Sequence, residues 1–379
     1  MIYLDNAAST WPKPKGVADA VKQAIEEYGA NPGRGNHQLA RRANQAIAHT
    51  RQLLTQLLGI KDPSNLLFFA NTTQALNQAI KGLVRPGDHV ILTGWEHNAV
   101  ARPVAFLQQK EKVQVTYLSY DAKLGWAKQV EQSIQENTRL IVTIHGSNVS
   151  GEILPIEEIG EVARKHGVFY LVDAAQTAGL VPIHVEQLPI DLLAFPGHKS
   201  LFGPQGTGGL YVHESVPLEP MIQGGTGSRS EELQQPVERP TGFESGTPNT
   251  PGIAGLGAGV QFILETGIEK IYEHEMKLLY RLWEGLSNIR EVQLYTLEPP
   301  ELPIVSFNLS NVSGTEVAMI LDQHYQIAVR AGLHCAFLAH QQMKTEQIGA
   351  VRVSPGYFNT ETDIDQFIQA IREISQAFA

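Results

Sequence analysis

The sequence predicts an α/β protein: a large domain with a mainly parallel sheet of seven strands between helices, then a smaller α+β domain at the C-terminal end. Two observations predict it. From residue 66 to residue 212, short apolar runs alternate with amphipathic stretches of helical length, which is the pattern of βαβ units. The chain has 379 residues, more than one average domain, so a large and a smaller domain are the natural division.

The N-terminal part precedes this alternation. The first fifteen residues, which include Trp11-Pro12-Lys13-Pro14, predict an extended arm. Residues 16–28 carry apolar side chains at helical spacing and predict a helix. After a glycine-rich loop at residues 31–36, a long helix is expected to run to Leu58 and to stop at Gly59, because glycine favours the C-terminal end of a helix.

The alternating region is expected to supply the large sheet. Its predicted strands are residues 66–70, 89–93, 113–118, 139–144, 168–172, 191–195 and 209–212. Predicted helices occupy residues 72–83, a stretch from about 98, and stretches that end before 137 and before 166. In open α/β sheets, ligands bind beyond the carboxyl ends of the strands. Side chains that directly follow these strands are therefore the first candidates for a functional site.

The pattern changes to glycine- and proline-rich sequence at residues 242–257, and a helical stretch then ends at about residue 290. We therefore expect an arm at residues 1–15 that packs with the small domain, a large domain at 16–258 and a small domain at 259–379. The small domain is expected to contain strands near 303–308 and 350–354 and a terminal helix at 362–377.

Composition excludes several classes of protein. Hydrophobic residues make up 42% and charged residues 18% of the chain, ordinary globular values. The formal net charge of −10 argues against nucleic acid and anionic membrane as partners. No apolar run approaches the ~20 residues of a membrane span, and the N-terminus Met1-Ile2-Tyr3-Leu4-Asp5 lacks a basic region followed by a hydrophobic stretch, so we expect a cytoplasmic protein. The single cysteine, Cys335, excludes an internal disulfide and is either a small buried residue or a nucleophile.

Three polar side chains follow two of the predicted strands. Asp173 and Gln176 follow the strand at 168–172, and Lys199 follows the strand at 191–195. One cofactor explains all three, because pyridoxal 5′-phosphate (PLP) forms a Schiff base with a lysine and its protonated ring nitrogen pairs with a carboxylate. Gln176 would then reach the phenolic oxygen of the ring. Taken singly, Asp173 is equally compatible with a helix N-cap and Lys199 with a loop cation.

Further candidates lie at the ends of other strands. Thr72 and Thr73 begin a predicted helix, where backbone N–H groups and the helix dipole favour a phosphate, although both are also ordinary N-cap residues. His198 would add a phosphate contact. His97 would stack on the ring and shuttle a proton, unless it only caps the next helix.

Two arginines, Arg330 and Arg352, are candidates for a substrate carboxylate, because the planar guanidinium binds that group with two parallel hydrogen bonds. An arginine at the end of a strand is otherwise a common surface charge. The role therefore depends on the wider pattern of motifs.

Together, five segments closely resemble the cysteine desulfurases of the class V aminotransferase superfamily, PLP enzymes of fold type I. The match runs in order from Asp5-Asn6-Ala7-Ala8 to the C-terminal helix, and it is closest to the second group, which includes selenocysteine lyases. The segments are Asn71-Thr72-Thr73, Val172-Asp173-Ala174-Ala175-Gln176, Ala194-Phe195-Pro196-Gly197-His198-Lys199, Glu244-Ser245-Gly246-Thr247-Pro248-Asn249-Thr250 and Arg330-Ala331-Gly332-Leu333-His334-Cys335-Ala336.

The resemblance implies a role for each candidate. Lys199 would hold the aldehyde of PLP, Asp173 the pyridinium and Gln176 the phenolate, with His97 stacked on the ring. Thr72, Thr73 and His198 would bind the phosphate, together with Thr247 from the partner subunit of a homodimer. Asn148 and Arg352 match the substrate-carboxylate site of the family, and Arg330 and Arg34 line its pocket.

The sequence departs from the family pattern at three positions. Pro196 stands where a serine or threonine usually adds a phosphate ligand, and Leu333 replaces the first histidine of Gly-His-His-Cys. Gly33 stands where a histidine often precedes the loop arginine. These changes leave the PLP assignment intact and bear on the substrate.

The resemblance implies that L-cysteine becomes L-alanine while Cys335 receives the sulfur as a persulfide, for transfer to an acceptor protein and uses such as iron–sulfur cluster assembly. We expect His334 and Arg330 to act as cationic neighbours that favour the thiolate, the reactive form of a cysteine. A lyase that acts on selenocysteine or cystine by elimination is the alternative on the same scaffold. A non-enzymatic PLP-binding regulator is a remote third interpretation. Such a protein is expected to carry an appended DNA-binding or partner domain, and the sequence predicts none.

Overall fold

The computed structural model describes residues 1–33, 35 and 37–378. The strands are β1 Ile2–Tyr3, β2 Leu66–Phe69, β3 His89–Thr93, β4 Gln114–Leu118, β5 Thr138–Ile144, β6 Phe169–Asp173, β7 Leu192–Pro196, β8 Gly208–Val212, β9 Val292–Leu294, β10 Val305–Leu309, β11 Ile327–Ala328, β12 Arg330–Gly332 and β13 Ala350–Val353. The helices are α1 Lys15–Tyr28, α2 Gln38–Leu58, α3 Thr72–Leu83, α4 Asn98–Glu111, α5 Trp126–Ser133, α6 Ile156–His166, α7 Thr250–Thr266, α8 Ile268–Ser287, α9 Gly314–Tyr325, α10 Phe337–Gln342 and α11 Glu361–Ala377.

The large sheet has seven strands in the order β2-β8-β7-β6-β5-β3-β4, and this confirms the predicted mainly parallel sheet. All neighbours from β7 to β4 run parallel, and only β8 runs antiparallel to both of its neighbours. Neighbouring side chains on one strand point to opposite faces of a sheet. Accordingly, Ile141 of β5 belongs to the apolar core that includes α2, α6 and α7, whereas Leu140 and Val142 belong to the core that includes α3 and α4.

The smaller sheet is antiparallel, in the order β12-β13-β10-β9. Its core contains apolar side chains of α8, α9 and α11, and Leu4 of the N-terminal arm lies in the same core. The arm is fastened there by β1, which pairs in parallel with β11, and by a single bridge between Asp5 and Ser354. These contacts bring the first residues of the chain beside Arg352 on β13.

Helix α7 belongs to the core that includes α2 and α6, and α8 begins in that core at Ile271 and continues into the core of the small domain at Met276. Helix α7 runs without interruption through residue 258 and packs against α1 and α2, whereas α8 packs against α11. Gly267 separates the two helices and has φ 93°, a left-handed backbone that glycine adopts readily. The expected boundary at residue 258 lies inside α7, and we propose that the division falls within α8, between Ile271 in the core of the large domain and Met276 in that of the small domain.

The topology places four of the candidate side chains at one edge of the large sheet. The strands β3, β5, β6 and β7 are parallel, so their carboxyl ends meet at that edge. His97, Asn148 and Lys199 directly follow three of these strands, and Asp173 is the last residue of the fourth.

Candidate active site

A cavity of about 190 Å³ lies at this edge. Eleven of the thirteen candidate residues line it: Thr72, Thr73, His97, Asn148, Asp173, Gln176, His198, Lys199, Arg330, Cys335 and Arg352. Its remaining wall includes Ala7 and Ala8 of the arm, Pro196 and His334. The large sheet, the small domain and the arm therefore all contribute to one site.

The other two candidates lie elsewhere. Thr247 is exposed and lines a second cavity, of about 540 Å³, where its hydroxyl accepts a hydrogen bond from Asn31 Nδ2 at 3.2 Å. The expectation that Thr247 serves the site of a partner subunit stays a prediction. Arg34 lies outside the described residues.

Burial changes the protonation of the lysine and the aspartate. It lowers the pKa of Lys199 to about 8, while the charge of Asp173 acts in the opposite direction. Burial also raises the pKa of Asp173 to about 6, against the stabilising effect of Lys199 and of the Ala175 N–H, which donates to Oδ1 at 3.0 Å. Turns rather than a helix follow Asp173, so helix capping does not explain this carboxylate.

The threonines at the start of α3 are also not its caps. The N-cap is Asn71, whose side chain accepts from the Gln74 N–H at 2.9 Å. Within the described part of the chain, the buried Thr72 Oγ1 and His198 Nδ1 have no hydrogen-bond partner. Buried polar atoms normally have a partner, so these two atoms, on residues that both line the cavity, leave hydrogen-bonding capacity for a ligand.

His97 both caps α4 and lines the cavity. Its Nδ1 accepts from the Ala99 N–H at 3.0 Å, so the neutral ring carries its proton on Nε2. Burial, followed by the charges of Lys199 and Arg330, lowers the pKa of His97 to about 4. The imidazole is therefore neutral at physiological pH.

Arg352 lies within β13 and is only 2% exposed. Its Nη2 donates to Asp5 Oδ1 at 2.7 Å, and its Nη1 donates to the Asn148 carbonyl at 3.0 Å. Asn148 in turn donates from Nδ2 to the His334 carbonyl at 2.9 Å. Asn148 Oδ1 and Arg352 Nε are buried without a partner among the described residues. Arg352 and Asn148 are thus held in place, and each keeps one polar atom available for a ligand.

Gln176 is held by the arm. Its Nε2 donates to the Ala7 carbonyl at 3.0 Å, and the side chain is buried in the cavity wall. An amide nitrogen carries two protons, so this bond leaves a second donor free for a ligand.

Cys335 is exposed and lies on a strained loop between β12 and α10. His334 and Cys335 have φ 50° and 54°, left-handed values that cost energy for residues other than glycine. The prediction that His334 is cationic is wrong, because burial and the charge of Arg352 lower the pKa of His334 to about 2. The guanidinium of Arg330 remains as a cation at the cavity.

Two residues near the site had no signal in the sequence analysis. Asp5 was noticed only as part of a motif, yet it holds the guanidinium of Arg352. Glu96 is fully buried below the cavity, where it accepts from the Thr93 hydroxyl and from the Ile144 N–H at 3.0 Å. Burial raises the pKa of Glu96 to about 8, so it is protonated at neutral pH.

The model of the aminotransferase class-V family matches residues 2–367. This chain belongs to the class-V aminotransferase family. A probable cysteine desulfurase of Methanothermobacter thermautotrophicus is 35% identical over 99% of this chain and 94% of its own. A cysteine desulfurase of Escherichia coli is 32% identical over 99% of this chain and 93% of its own.

Solved structures agree with the sequence comparison. The apo structure of a cysteine desulfurase from Thermococcus onnurineus has a TM-score of 0.91 and 32% identity, and the match covers 99% of this chain and 95% of that one. The E. coli cysteine desulfurase CsdA, in an S-sulfonic acid form, has a TM-score of 0.89 and 26% identity over 100% of this chain and 95% of that one.

Class-V aminotransferases use PLP, and the cavity of this member fits that cofactor. It offers a lysine with a lowered pKa, a buried carboxylate that Lys199 stabilises, and an unpartnered threonine hydroxyl at a helix N-terminus. Pro196 lines the cavity at the position of the missing hydroxyl, and the free Thr72 and His198 atoms stand in the same wall. No described helix is long and apolar enough to cross a membrane.

Proposed function

We propose that this protein is a PLP-dependent cysteine desulfurase that converts L-cysteine to L-alanine and receives the sulfur on Cys335 as a persulfide. The observation that carries the proposal is the position of Cys335. The thiol is exposed on the loop that closes the cavity containing Lys199, Asp173 and Arg352. A class-V aminotransferase that only moved an amino group would have no use for a thiol there.

Specific residues would hold the cofactor. Lys199 would bind its aldehyde, Asp173 its pyridinium and Gln176 its phenolic oxygen, while Thr72, Thr73 and His198 would bind its phosphate. The positive charge of a pyridinium would keep Asp173 ionised, despite the burial that raises its pKa in the protein alone. The bound cofactor supplies an electron sink for the carbon chemistry of an amino acid.

The substrate would be oriented by its carboxylate. Arg352 is fixed by Asp5 and by the Asn148 carbonyl, so its guanidinium needs no reorganisation when the substrate arrives. Arg330 is exposed, lines the cavity from β12, adjacent to β13, and would add a second cation. Asn148 Nδ2 and Oδ1 lie in the same wall. We propose that Arg34 contributes to this pocket as well.

Proton transfer would use Lys199 and His97. A lysine with a pKa of about 8 has a substantial neutral fraction near pH 7 to 8, so Nζ would accept the proton from the substrate Cα. His97 is neutral with its proton on Nε2, and it would donate that proton to a developing negative charge and recover it later. Its Nδ1 stays engaged with the backbone throughout.

The sulfur would move by attack of the Cys335 thiolate on the substrate sulfur. A sulfur–sulfur bond forms, the substrate carbon–sulfur bond breaks, and the electron pair of that bond stays on the carbon, which takes a proton and becomes the methyl group of alanine. The left-handed loop gives Cys335 an exposed position from which the persulfide can reach an acceptor.

We further propose a cytoplasmic homodimer that passes sulfur to an acceptor protein. Thr247 is compatible with the dimer, because it is exposed and lines a cavity other than the active-site cavity of its own chain. Its hydroxyl would then complete the phosphate site of the partner subunit.

Product analysis tests the proposed function. The protein is incubated with L-cysteine and a thiol reductant, and alanine, sulfide and pyruvate are measured. We expect alanine and sulfide in equal amounts. Pyruvate as the main product would assign elimination chemistry instead, and a preference for selenocysteine by orders of magnitude would make the protein a selenocysteine lyase.

A further inference from the structure

A chain of buried hydrogen bonds leads away from the active-site cavity beside Cys335. His334 Nδ1 lies 3.2 Å from His340 Nε2, and His340 Nδ1 lies 2.7 Å from Thr345 Oγ1. The three side chains are 5%, 0% and 1% exposed, respectively. None of these contacts has a part in the cofactor binding or substrate binding proposed above.

The Thr345 hydroxyl sets the direction of this chain. Thr345 Oγ1 lies 3.4 Å from the His340 carbonyl, and we assign the hydroxyl proton to this contact, so that the oxygen lone pairs face the imidazole. His340 therefore donates from Nδ1 to Thr345 and accepts at Nε2 from the Nδ1–H of His334. In a neutral His334 the other nitrogen, Nε2, then carries a lone pair and no proton.

His334 Nε2 is available to a reacting group in the cavity. His334 lines the active-site cavity, and its buried Nε2 has no hydrogen-bond partner among the described residues. A buried acceptor without a partner is costly, and such atoms occur where a reacting group is to be met. The neighbouring residue in the chain is Cys335, whose thiol lines the same cavity.

The charges around the chain favour His340 over His334 as the final site of a proton. His334 faces Arg352 and Arg330 and cannot keep a positive charge, because burial and these guanidiniums hold its pKa near 2. His340 faces Glu346 instead, whose charge acts against the burial that lowers the pKa of His340. Glu346 is half-buried, and its Oε2 has no partner among the described residues.

We propose that His334 and His340 form a two-imidazole proton relay that ionises the thiol of Cys335. The Cys335 side chain, which makes no hydrogen bond to His334 Nε2 in this structure, turns toward that nitrogen and gives it the thiol proton. His334 passes its Nδ1 proton to His340 Nε2 in the same step. The products are a thiolate in the cavity, a neutral His334 of the other tautomer, and a cationic His340 that is hydrogen-bonded to Thr345 and favoured by the charge of Glu346. One proton leaves the cavity and no electron is transferred.

This inference deepens the proposed function and rests on it, but its test does not need turnover. Cys335 is the single cysteine of the chain, so the rate of alkylation of the holoprotein by iodoacetamide, followed by mass, reports on this thiol alone. The rate is measured as a function of pH for the parent protein and for His340→Leu, Thr345→Val, Thr345→Ser and His324→Leu. His324 is an exposed residue of α9 and serves as the histidine control.

We expect His340→Leu and Thr345→Val to slow alkylation at pH 7 by about tenfold and to move the rise of the profile to higher pH, since general-base assistance is worth ~10² or more and part of it is retained by solvent. Thr345→Ser keeps the hydroxyl and is expected to retain the parent profile, whereas Thr345→Val keeps the volume of the side chain and is expected to lose it. His324→Leu is expected to have no effect.

Profiles of His340→Leu and Thr345→Val that superimpose on that of the parent protein would overturn the relay. Thermal unfolding of each variant is measured in parallel, and Thr345→Val decides the question if His340→Leu does not fold. The outcome is separate from the desulfurase assay. If alkylation confirms the relay but L-cysteine yields no alanine, the relay stands and the proposed function is wrong.

Discussion

Cofactor capture by Lys199 can be predicted quantitatively from its environment. Only a neutral amine attacks an aldehyde, and burial lowers the pKa of this lysine from 10.5 to about 8, with further lowering by Arg352 and Arg330 and an opposing effect of Asp173. At pH 7 the neutral fraction is then about 10%, compared with about 0.03% for an ordinary lysine, a ratio of roughly 300 or about 3 kcal/mol. The structure thus prepares Lys199 for its reaction before the cofactor arrives.

The assay uses protein from which the cofactor has been removed. It is mixed with PLP at a series of pH values, and the rate of covalent capture is followed by absorbance. We expect the rate to rise with pH and to level off with a midpoint near pH 8. The variant Lys199→Ala, in which this phase is absent, separates capture by Lys199 from slow reaction of surface lysines.

A capture rate that keeps rising beyond pH 10 would refute the reasoning, because it would mean that Lys199 titrates as an ordinary exposed lysine. The variant Asp173→Asn provides a second check. It removes the carboxylate that raises the pKa of Lys199, so the midpoint is expected to move below that of the parent protein.

Three other predictions concern single side chains. Arg352→Lys loses the planar fork held by Asp5 and Asn148, and we expect KM for L-cysteine to rise about 100-fold, or roughly 3 kcal/mol, with a smaller change in kcat. Thr72→Val is expected to raise Kd for PLP about tenfold, the worth of one hydrogen bond of about 1.4 kcal/mol, without a change in Tm, because Asn71 and not Thr72 caps α3. Glu275→Gln is expected to increase the free energy of unfolding at pH 7 by about 3 kcal/mol, since burial raises the pKa of Glu275 from 4.5 to about 8 and the folded state therefore loses stability as pH rises between these values. Urea unfolding at several pH values checks this last prediction, and a difference between variant and parent that is as large at pH 4 as at pH 7 would contradict it.

The sheet and the residues at its edge could be predicted because local sequence carries that information. Apolar periodicity separates strands from helices, and a parallel sheet brings the ends of its strands together. Lys199, Asp173 and His97 directly follow or end strands, and the structure brings them into one cavity. Position after a strand was sufficient to place them.

The partners of these residues could not be predicted in the same way. Asp5 and Arg352 lie 347 positions apart in the sequence, and the pairing of β1 with β11 and the bridge between Asp5 and Ser354 bring the arm to β13. His340 shows no pattern that distinguishes it from any other helical histidine, and its role depends on packing against His334. The protonation of His334 was predicted wrongly for a related reason, because sequence shows neighbouring charges but not the burial that keeps an imidazole neutral.

The central claim is that Cys335 receives the sulfur of L-cysteine, and a single-turnover experiment tests it directly. The holoprotein is mixed with one equivalent of L-cysteine without reductant, and the mass of the Cys335 peptide and the amount of alanine are measured. We predict one additional sulfur atom on Cys335 for each alanine formed. If Cys335→Ser, given L-cysteine and a thiol reductant, still forms sulfide and alanine at the undiminished rate, Cys335 is not the acceptor and the account is contradicted.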